Sequence, residues 1–330
     1  MKELLEHLYQ GATLTPEEAQ DILMRIGRNE FSEIEISSFL TVYLMREITP
    51  GELTGFRNAL MKLSVRVDLS DFETIDVCGT GGDGKNTFNI STLVAFVLAG
   101  AGIRVAKHGN YGVSSPVGSS NLFEQVGYQF TNDPRKLRHE VEEAGITFMH
   151  APLFHPAMKY VAPVRRTLKT KTFFNMLGPM INPSSPKYQL VGVYSTGVQE
   201  LYHDVYRETG NHYLIIHALD GYDEISLTGK ARVVSNTTEE TIEPSTFGFD
   251  PVFQHDLFGG NDVSEATAIF MDVLNNRGTQ QQKNTVLANS AAGIRCIYPD
   301  MQWADCVEIA RESLEGGKAL KSFHKLIAMQ

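Results

Sequence analysis

The chain is poor in cysteine, in net positive charge and in long apolar runs. Its three cysteines, Cys78, Cys296 and Cys306, include no CxxC pair, and their number is odd. That excludes a disulfide framework and a cysteine zinc site, and points to a reducing cytoplasm. Acids outnumber bases, 39 Asp and Glu against 29 Lys and Arg, for a formal net charge of −10. A general nucleic-acid binder needs a basic face, so no nucleic-acid partner is expected. The longest apolar stretch runs from Leu93 to Val97 and on to Gly102, about half of a membrane span. The opening Met-Lys-Glu-Leu-Leu-Glu carries acids where a secretion signal has an apolar run. A soluble cytoplasmic protein with no membrane partner is expected. At 330 residues, one large domain and a smaller companion fit.

What is present changes character along the chain. Residues 1–68 read as four helices without strands. Thr15-Pro16-Glu17-Glu18 and Thr49-Pro50-Gly51-Glu52 each offer a Thr cap, a Pro at the first helical position and a Glu three residues after the cap. Between them, Ser32 to Arg46 carries Ile36, Leu40, Tyr43 and Leu44 at helical spacing. From Asp71 onward, glycine-punctuated strands alternate with helices. Strands are expected at Thr74–Cys78, Ile103–Ala106, Leu190–Tyr194, Tyr213–Ala218 and Ala231–Val234, with a helix at Ser91–Gly102. This predicts an α/β fold: a small all-helical N-terminal domain and a large α/β domain, 71–330, around a central mostly parallel sheet. The stretch from Pro152 to Pro186 is Pro-rich and basic. It is expected to return to the helical domain near 163–186. Beyond Gly259 the chain reads as helical, with an Asn- and Gln-rich turn around Gln280.

The most informative segment is Asp76-Val77-Cys78-Gly79-Thr80-Gly81-Gly82-Asp83-Gly84-Lys85-Asn86-Thr87. Gly79, Gly81 and Gly84 match a dinucleotide fingerprint, and Gly79, Gly84 and Lys85 nearly match a P-loop. The P-loop fails because Asn86 stands where a hydroxyl must hold magnesium. The dinucleotide reading fails because the next strand ends in Lys107, where an acid must meet the ribose. Asn89-Ile90-Ser91-Thr92 then opens the apolar helix with hydroxyls and free amides, a phosphate-binding arrangement, although simple capping would use the same residue types. The second strand delivers Lys107-His108-Gly109-Asn110, followed by Ser114, Ser115 and Ser119. Two adjacent strand ends that both carry phosphate chemistry point to a ligand with phosphates at both ends.

These residues resemble the anthranilate phosphoribosyltransferases. The likeness runs from Gly79–Thr92 through Lys107–Asn110 and Ser114–Ser119 to His155-Pro156-Ala157-Met158. It continues with Val164-Arg165-Arg166, Phe174–Pro179, Asn182-Pro183 and Asp220-Gly221-Tyr222-Asp223-Glu224. The resemblance implies a homodimer and transfer of phosphoribosyl from 5-phosphoribosyl 1-pyrophosphate (PRPP) to anthranilate, in tryptophan biosynthesis. It implies PRPP contacts from Gly79, Gly82, Asp83, Thr87, Asn89, Ile90, Ser91, Thr92, Lys107, His108, Gly109, Asn110, Ser114, Ser115 and Ser119. Anthranilate would meet Gly79, Asn110, Arg165, His108 and His155, with Lys107, Asn110 and Arg165 in the catalytic machinery. Mg²⁺ would be held by Ser91, Asp223 and Glu224. The chain departs from the family pattern at Tyr111 (commonly Arg), Val117 (commonly Ser) and Ser120-Asn121 (commonly Ala-Asp). Three other readings stay open: a nucleoside phosphorylase that needs no magnesium, a member with another aromatic acceptor, and a silent member that binds nucleic acid. Taken alone, Asp223-Glu224 also reads as a solvated turn, and one of Arg165 and Arg166 as ordinary surface charge.

Overall fold

The computed structural model describes residues 1–112 and 116–330. Ser114 and Ser115 therefore lie outside the described residues. The chain opens with α1 (Lys2–Tyr9), α2 (Pro16–Gly27), α3 (Glu33–Met45) and α4 (Pro50–Leu63). Thr15 and Thr49 cap α2 and α4 as the sequence predicts. Ser32 and Glu35 form a third capping box on α3; here Ser32 is the cap, not the first residue of the helix.

Glu52 does more than close its box. It is fully buried and accepts from the Leu14 amide at 3.0 Å, the Tyr43 hydroxyl at 3.1 Å and Arg46 Nη2 at 2.6 Å. Burial pushes its carboxyl up, yet the bonds from Arg46, Thr49 and Leu14 prevail and hold it below the usual range. Phe173, from the later crossing, stacks on Phe56 at 4.5 Å and meets Tyr43 edge-on at 5.1 Å. The crossing, with its helix Ala162–Leu168, is thus built into the bundle core.

Seven strands form one sheet in the order β3-β2-β1-β4-β5-β6-β7. They are β1 (Thr74–Gly79), β2 (Arg104–Gly109), β3 (Ile146–His150), β4 (Tyr188–Gly192), β5 (His212–Ala218), β6 (Ala231–Ser235) and β7 (Glu239–Ile242). Pairings among β1 to β5 are parallel, and β6 and β7 are antiparallel. β3 and β7 are additions to the sequence reading. β3 is buried along its whole length, so it shows no alternation to detect. β7, Glu-Glu-Thr-Ile, is a short charged edge. The expected turn near Gln280 lies just before it, at Asn275-Asn276 through Gly278, and the glutamines belong to the next helix. Thr279 caps a helix, Gln280–Ile297, whose polar first turn resembles a loop in sequence.

Helix α5 (Ile90–Gly100) is buried on nearly every side, as its apolar sequence demands. It runs from the end of β1 across the sheet to β2. The chain steps from β1 outward to β2 and β3, then returns to β4 on the other side of β1. That reversal leaves a crevice outside the C-terminal strand ends, where such sheets bind ligands. No helix among the described residues is long and apolar enough to cross a membrane.

The buried Glu52 cluster yields a direct test. Glu52→Ala leaves Arg46 partly buried without its acid and is expected to cost about 3–5 kcal/mol in urea unfolding. Glu18→Ala, in an exposed capping box, should cost far less. Equally small effects would contradict the central place given to Glu52.

Candidate active site

A cavity of about 740 Å³ opens at the crevice, between the ends of β1 and β2 on one side and the crossing on the other. Its first wall is the glycine loop after β1. Gly81, Gly82 and Gly84 take φ values of +63°, +81° and +72°, which a side chain rarely tolerates. At the start of α5, Asn89 makes no side-chain cap; its Nδ2 reaches across to the Val117 carbonyl at 3.3 Å. No N-cap side chain closes the first turn of α5; the Glu224 carboxylate bonds the Ser91 backbone there instead, so an acid of the site stands at the helix start.

Three acids gather beside this loop. Past β5 the chain turns at Gly221 (φ +95°) and leaves strand geometry, so Asp223 and Glu224 need not point apart. Asn289 pins the following residue, accepting from the Ile225 amide at 2.9 Å and donating to its carbonyl at 2.8 Å. Asp223 accepts from the Gly81 amide at 2.7 Å, and its carboxyl shares a hydrogen bond with that of Asp83. Burial first, and Asp83 second, push Asp223 up to about 7. Burial and the neighbouring Asp223 push Glu224 up as well. Its Oε2 is buried without a partner among the described residues. No group of three or more acid, His or Cys side chains among the described residues forms a closed metal cage; the adjacent carboxylates of Asp223 and Glu224 fit instead a divalent cation shared with phosphate.

The glycines here have an unexpected reason. A Cβ on Gly79 would sit 2.3 Å from Asp223 Oδ2, and one on Gly192 would sit 1.4 Å from the Asp223 carbonyl oxygen. Gly79 is thus bare to admit Asp223, before any ligand approaches. Gly192 was absent from the sequence-based site. A glycine inside a predicted strand was its available signal, since it marks a close backbone approach.

From β2, Lys107 is almost fully buried and donates to the Val77 carbonyl at 2.5 Å and Ser91 Oγ at 3.3 Å. Asn110 folds back, its Oδ1 accepting from the Tyr111 amide at 2.8 Å. Asn121, one of the departures, accepts from the Gly112 and Gly118 amides, each at 3.0 Å, and so ties both ends of the second loop. Tyr111 packs edge-on against His150 at 5.0 Å, a ring with Ser120 Oγ on its Nδ1 at 2.8 Å. The departures are absorbed as packing and loop clasps.

The opposite wall comes from the crossing. Arg165 is held by Asn175 Oδ1 at 3.2 Å and lies 5.4 Å over the Phe174 ring. It has no carboxylate partner among the described residues, and burial alone lowers its pKa, though a guanidinium stays charged. His155 and His108 meet edge-on at 5.2 Å. Neither ring nitrogen of His155 makes a well-formed hydrogen bond among the described residues, although the Ile181 backbone beside it offsets part of the effect of burial. Lys171 donates to the Gly82 carbonyl and stands 5.3 Å over Tyr194, a contact between crossing and glycine loop that sequence reasoning missed.

Gly79, Asp83, Thr87, Asn89, Ser91, Thr92, Lys107, His108, Gly109, Asn110, Ser119, His155, Arg165, Asp223 and Glu224 all line the one cavity. Among the described residues of the expected site, Gly82 and Ile90 are not on its wall. Ile90 sends its side chain into the core below.

Known proteins resemble the chain closely. A family model described as the a/b domain of the glycosyl transferase family matches residues 71–320, and its helical bundle domain matches residues 2–64. The chain is 50% identical to the anthranilate phosphoribosyltransferase of Flavobacterium psychrophilum, covering 99% of this chain and 98% of that protein. The crystal structure of the Thermus thermophilus anthranilate phosphoribosyltransferase superposes with a TM-score of 0.92 at 30% identity, covering 98% of each chain. The Saccharomyces cerevisiae enzyme in complex with PRPP and Mg superposes with a TM-score of 0.89 at 26% identity, covering 98% of this chain and 96% of that one.

Burial pushes the His155 imidazole from 6.5 down to about 4. The unfolded chain takes up a proton near pH 6.5 that the folded chain refuses until about pH 4. The stability this residue contributes is therefore full above pH 6.5 and is lost as the pH falls through 4. The expected size is about 3 kcal/mol. His155→Gln should unfold in urea with a visibly smaller loss between pH 7 and pH 4.5 than the natural protein; equal losses would contradict a neutral His155.

Proposed function

The chain belongs to the anthranilate phosphoribosyltransferases of the glycosyl transferase family, and we propose from that premise that it moves the phosphoribosyl group of PRPP onto anthranilate, in tryptophan biosynthesis. The products are N-(5-phosphoribosyl)anthranilate and pyrophosphate. One observation carries the reading. A single cavity has a glycine loop, a helix start without an N-cap side chain and an acid cluster on one wall, and an acid-free guanidinium on the other.

In this reaction the bond from ribose C1 to pyrophosphate oxygen breaks and a bond from C1 to the anthranilate nitrogen forms. The nitrogen sheds one proton to pyrophosphate or water. The amine is already a neutral nucleophile near pH 7, so positioning matters more than a strong base. A neutral His155 is consistent with that. Backbone amides of the glycine loop and of the first turn of α5 face the phosphates. Lys107 and Asn110 sit at the end of β2 beside them. Arg165 pairs with the anthranilate carboxylate through parallel hydrogen bonds. Ser91, Asp223 and Glu224 are the residues that would hold Mg²⁺, which when bound neutralises charge on the leaving pyrophosphate. The unpartnered Glu224 Oε2 supports that assignment.

The functional division follows the two units, 1–68 with its return near 163–186, and 71–330, with substrates meeting between them. Exposed Ile34 and Met45 on the bundle, 80% and 83% accessible, support a homodimer through that face. The chemistry suits the cytoplasm, where amino-acid precursors are made.

Loss of anthranilate fluorescence on mixing with PRPP and Mg²⁺ tests the activity; an inactive protein would contradict the reading. Arg165→Ala removes a charge-assisted bond of about 1.5–3 kcal/mol. It should raise the anthranilate KM at least about tenfold and leave the PRPP KM nearly unchanged. An unchanged anthranilate KM, with Arg166→Ala raising it instead, would assign the carboxylate to the other arginine.

A further inference from the structure

Two neighbouring strands of the sheet part company early. β1 pairs with β2 only at Thr74↔Arg104 and Ile75↔Val105. Yet β1 continues beside β4 to Gly79↔Gly192, and β2 beside β3 to Gly109↔His150. A fork inside a sheet strands buried backbone groups that must find other partners. Here two side chains supply them. Asp76, fully buried on β1, accepts from the His108 amide at 3.2 Å. Asn182, 3% exposed, donates from Nδ2 to the Ala106 carbonyl at 2.8 Å and stands beside the Asp76 carboxyl, where it offsets part of the upward push of burial. Its Oδ1 is fixed in turn by the Ser184 amide at 3.0 Å and hydroxyl at 2.8 Å. The ammonium of Lys107 enters the gap this leaves, on the Val77 carbonyl and Ser91 Oγ.

We infer that Asp76 and Asn182 are a buried positioning pair that holds β1 and β2 apart and so sets the Lys107 ammonium at the floor of the substrate cleft. Neither residue lines the cavity; both act through Lys107. Asp76 supplies the buried negative charge that an almost fully desolvated ammonium requires. Asn182 locks the fork from the crossing, because a simple ladder would close β2 against β1 and occupy the Val77 carbonyl. Ser91 lies in the first turn of α5, so the pair fixes a cation against the helix start that faces phosphate. The Asn182-Pro183 element thereby gains a role on the PRPP side of the reaction.

The inference rests on the proposed transfer, and its test separates the two. Asp76→Asn, Asn182→Ser, Lys107→Gln and the double variant Asp76→Asn with Lys107→Gln are compared in kcat, KM for each substrate and melting temperature. Asp76→Asn keeps an oxygen for the His108 amide. It should lower kcat/KM for PRPP at least about tenfold while moving the anthranilate KM less than about twofold. Added to Lys107→Gln, it should change kcat/KM by less than about twofold, because both act on one group. Asn182→Ser should repeat the loss on PRPP alone. Amide exchange in the natural protein should show the His108 amide strongly protected, although the β1–β2 ladder stops before it. Normal PRPP kinetics in a folded Asp76→Asn protein, losses that multiply in the double variant, or rapid exchange at His108 would each overturn the pair; the exchange measurement holds even where a variant fails to fold. A natural protein that consumes no anthranilate would instead overturn the functional reading and leave the fork standing.

Discussion

Three carboxylates crowded together, partly withdrawn from water, beyond the ends of parallel strands set the terms for the rest of the molecule. Asp223 is buried and Asp83 and Glu224 are half-buried beside it; desolvation raises all three, and repulsion from neighbouring acids raises Asp223 and Glu224 further. Desolvating like charges is unfavourable, so the surrounding structure must force the arrangement. It does so with backbone. Gly79 and Gly192, adjacent partners at the ends of β1 and β4, have no Cβ because Asp223 occupies that space. The Gly221 turn swings the acids off β5, and Asn289 fastens the chain just after them. Such an arrangement makes physical sense when the missing charge arrives with the ligand.

The helical unit and its crossing answer from the other side. Glu52 ties Leu14, Tyr43, Arg46 and Thr49 into one buried cluster, and Phe173 anchors the crossing to Phe56 and Tyr43 within the same core. Arg165 consequently sits on a packed platform, though the segment around it is short and irregular. Lys171 then reaches from that platform to the glycine loop. The crossing and the bundle also share one continuous apolar core with β4, β5 and the helix Thr196–Arg207. That suits a transferase that must exclude water while two substrates meet.

Much of this was legible in the sequence because it depends on local chemistry. The Thr-Pro-x-Glu starts of α2 and α4, the glycine loop and the Asn-Ile-Ser-Thr helix opening are patterns whose meaning does not depend on distant partners. The position of Asp223 and Glu224 off the strand was readable from Gly221. What escaped depends on tertiary context. β3 is buried on both faces and so carries no alternation. The polar start of Gln280–Ile297 reads as a loop until Thr279 is seen to cap it. The reason for Gly79 lay in a residue far along the chain, and Gly192 carried only the faint signal of a glycine inside a strand. Asp76 looked like the first letter of a motif. Its partner Asn182 is more than a hundred positions away, and nothing local announces that the pair splits a sheet.

The account turns on whether the buried acids await a cation that comes with phosphate. Titration calorimetry with Mg²⁺, on the protein alone and on the protein saturated with PRPP, measures this directly. The account predicts weak or undetectable binding to the free protein and firm, stoichiometric binding once PRPP is present, since magnesium is usually held by one or two carboxylates together with substrate phosphates. Equal binding in both states, or full transferase activity in excess chelator, would contradict it.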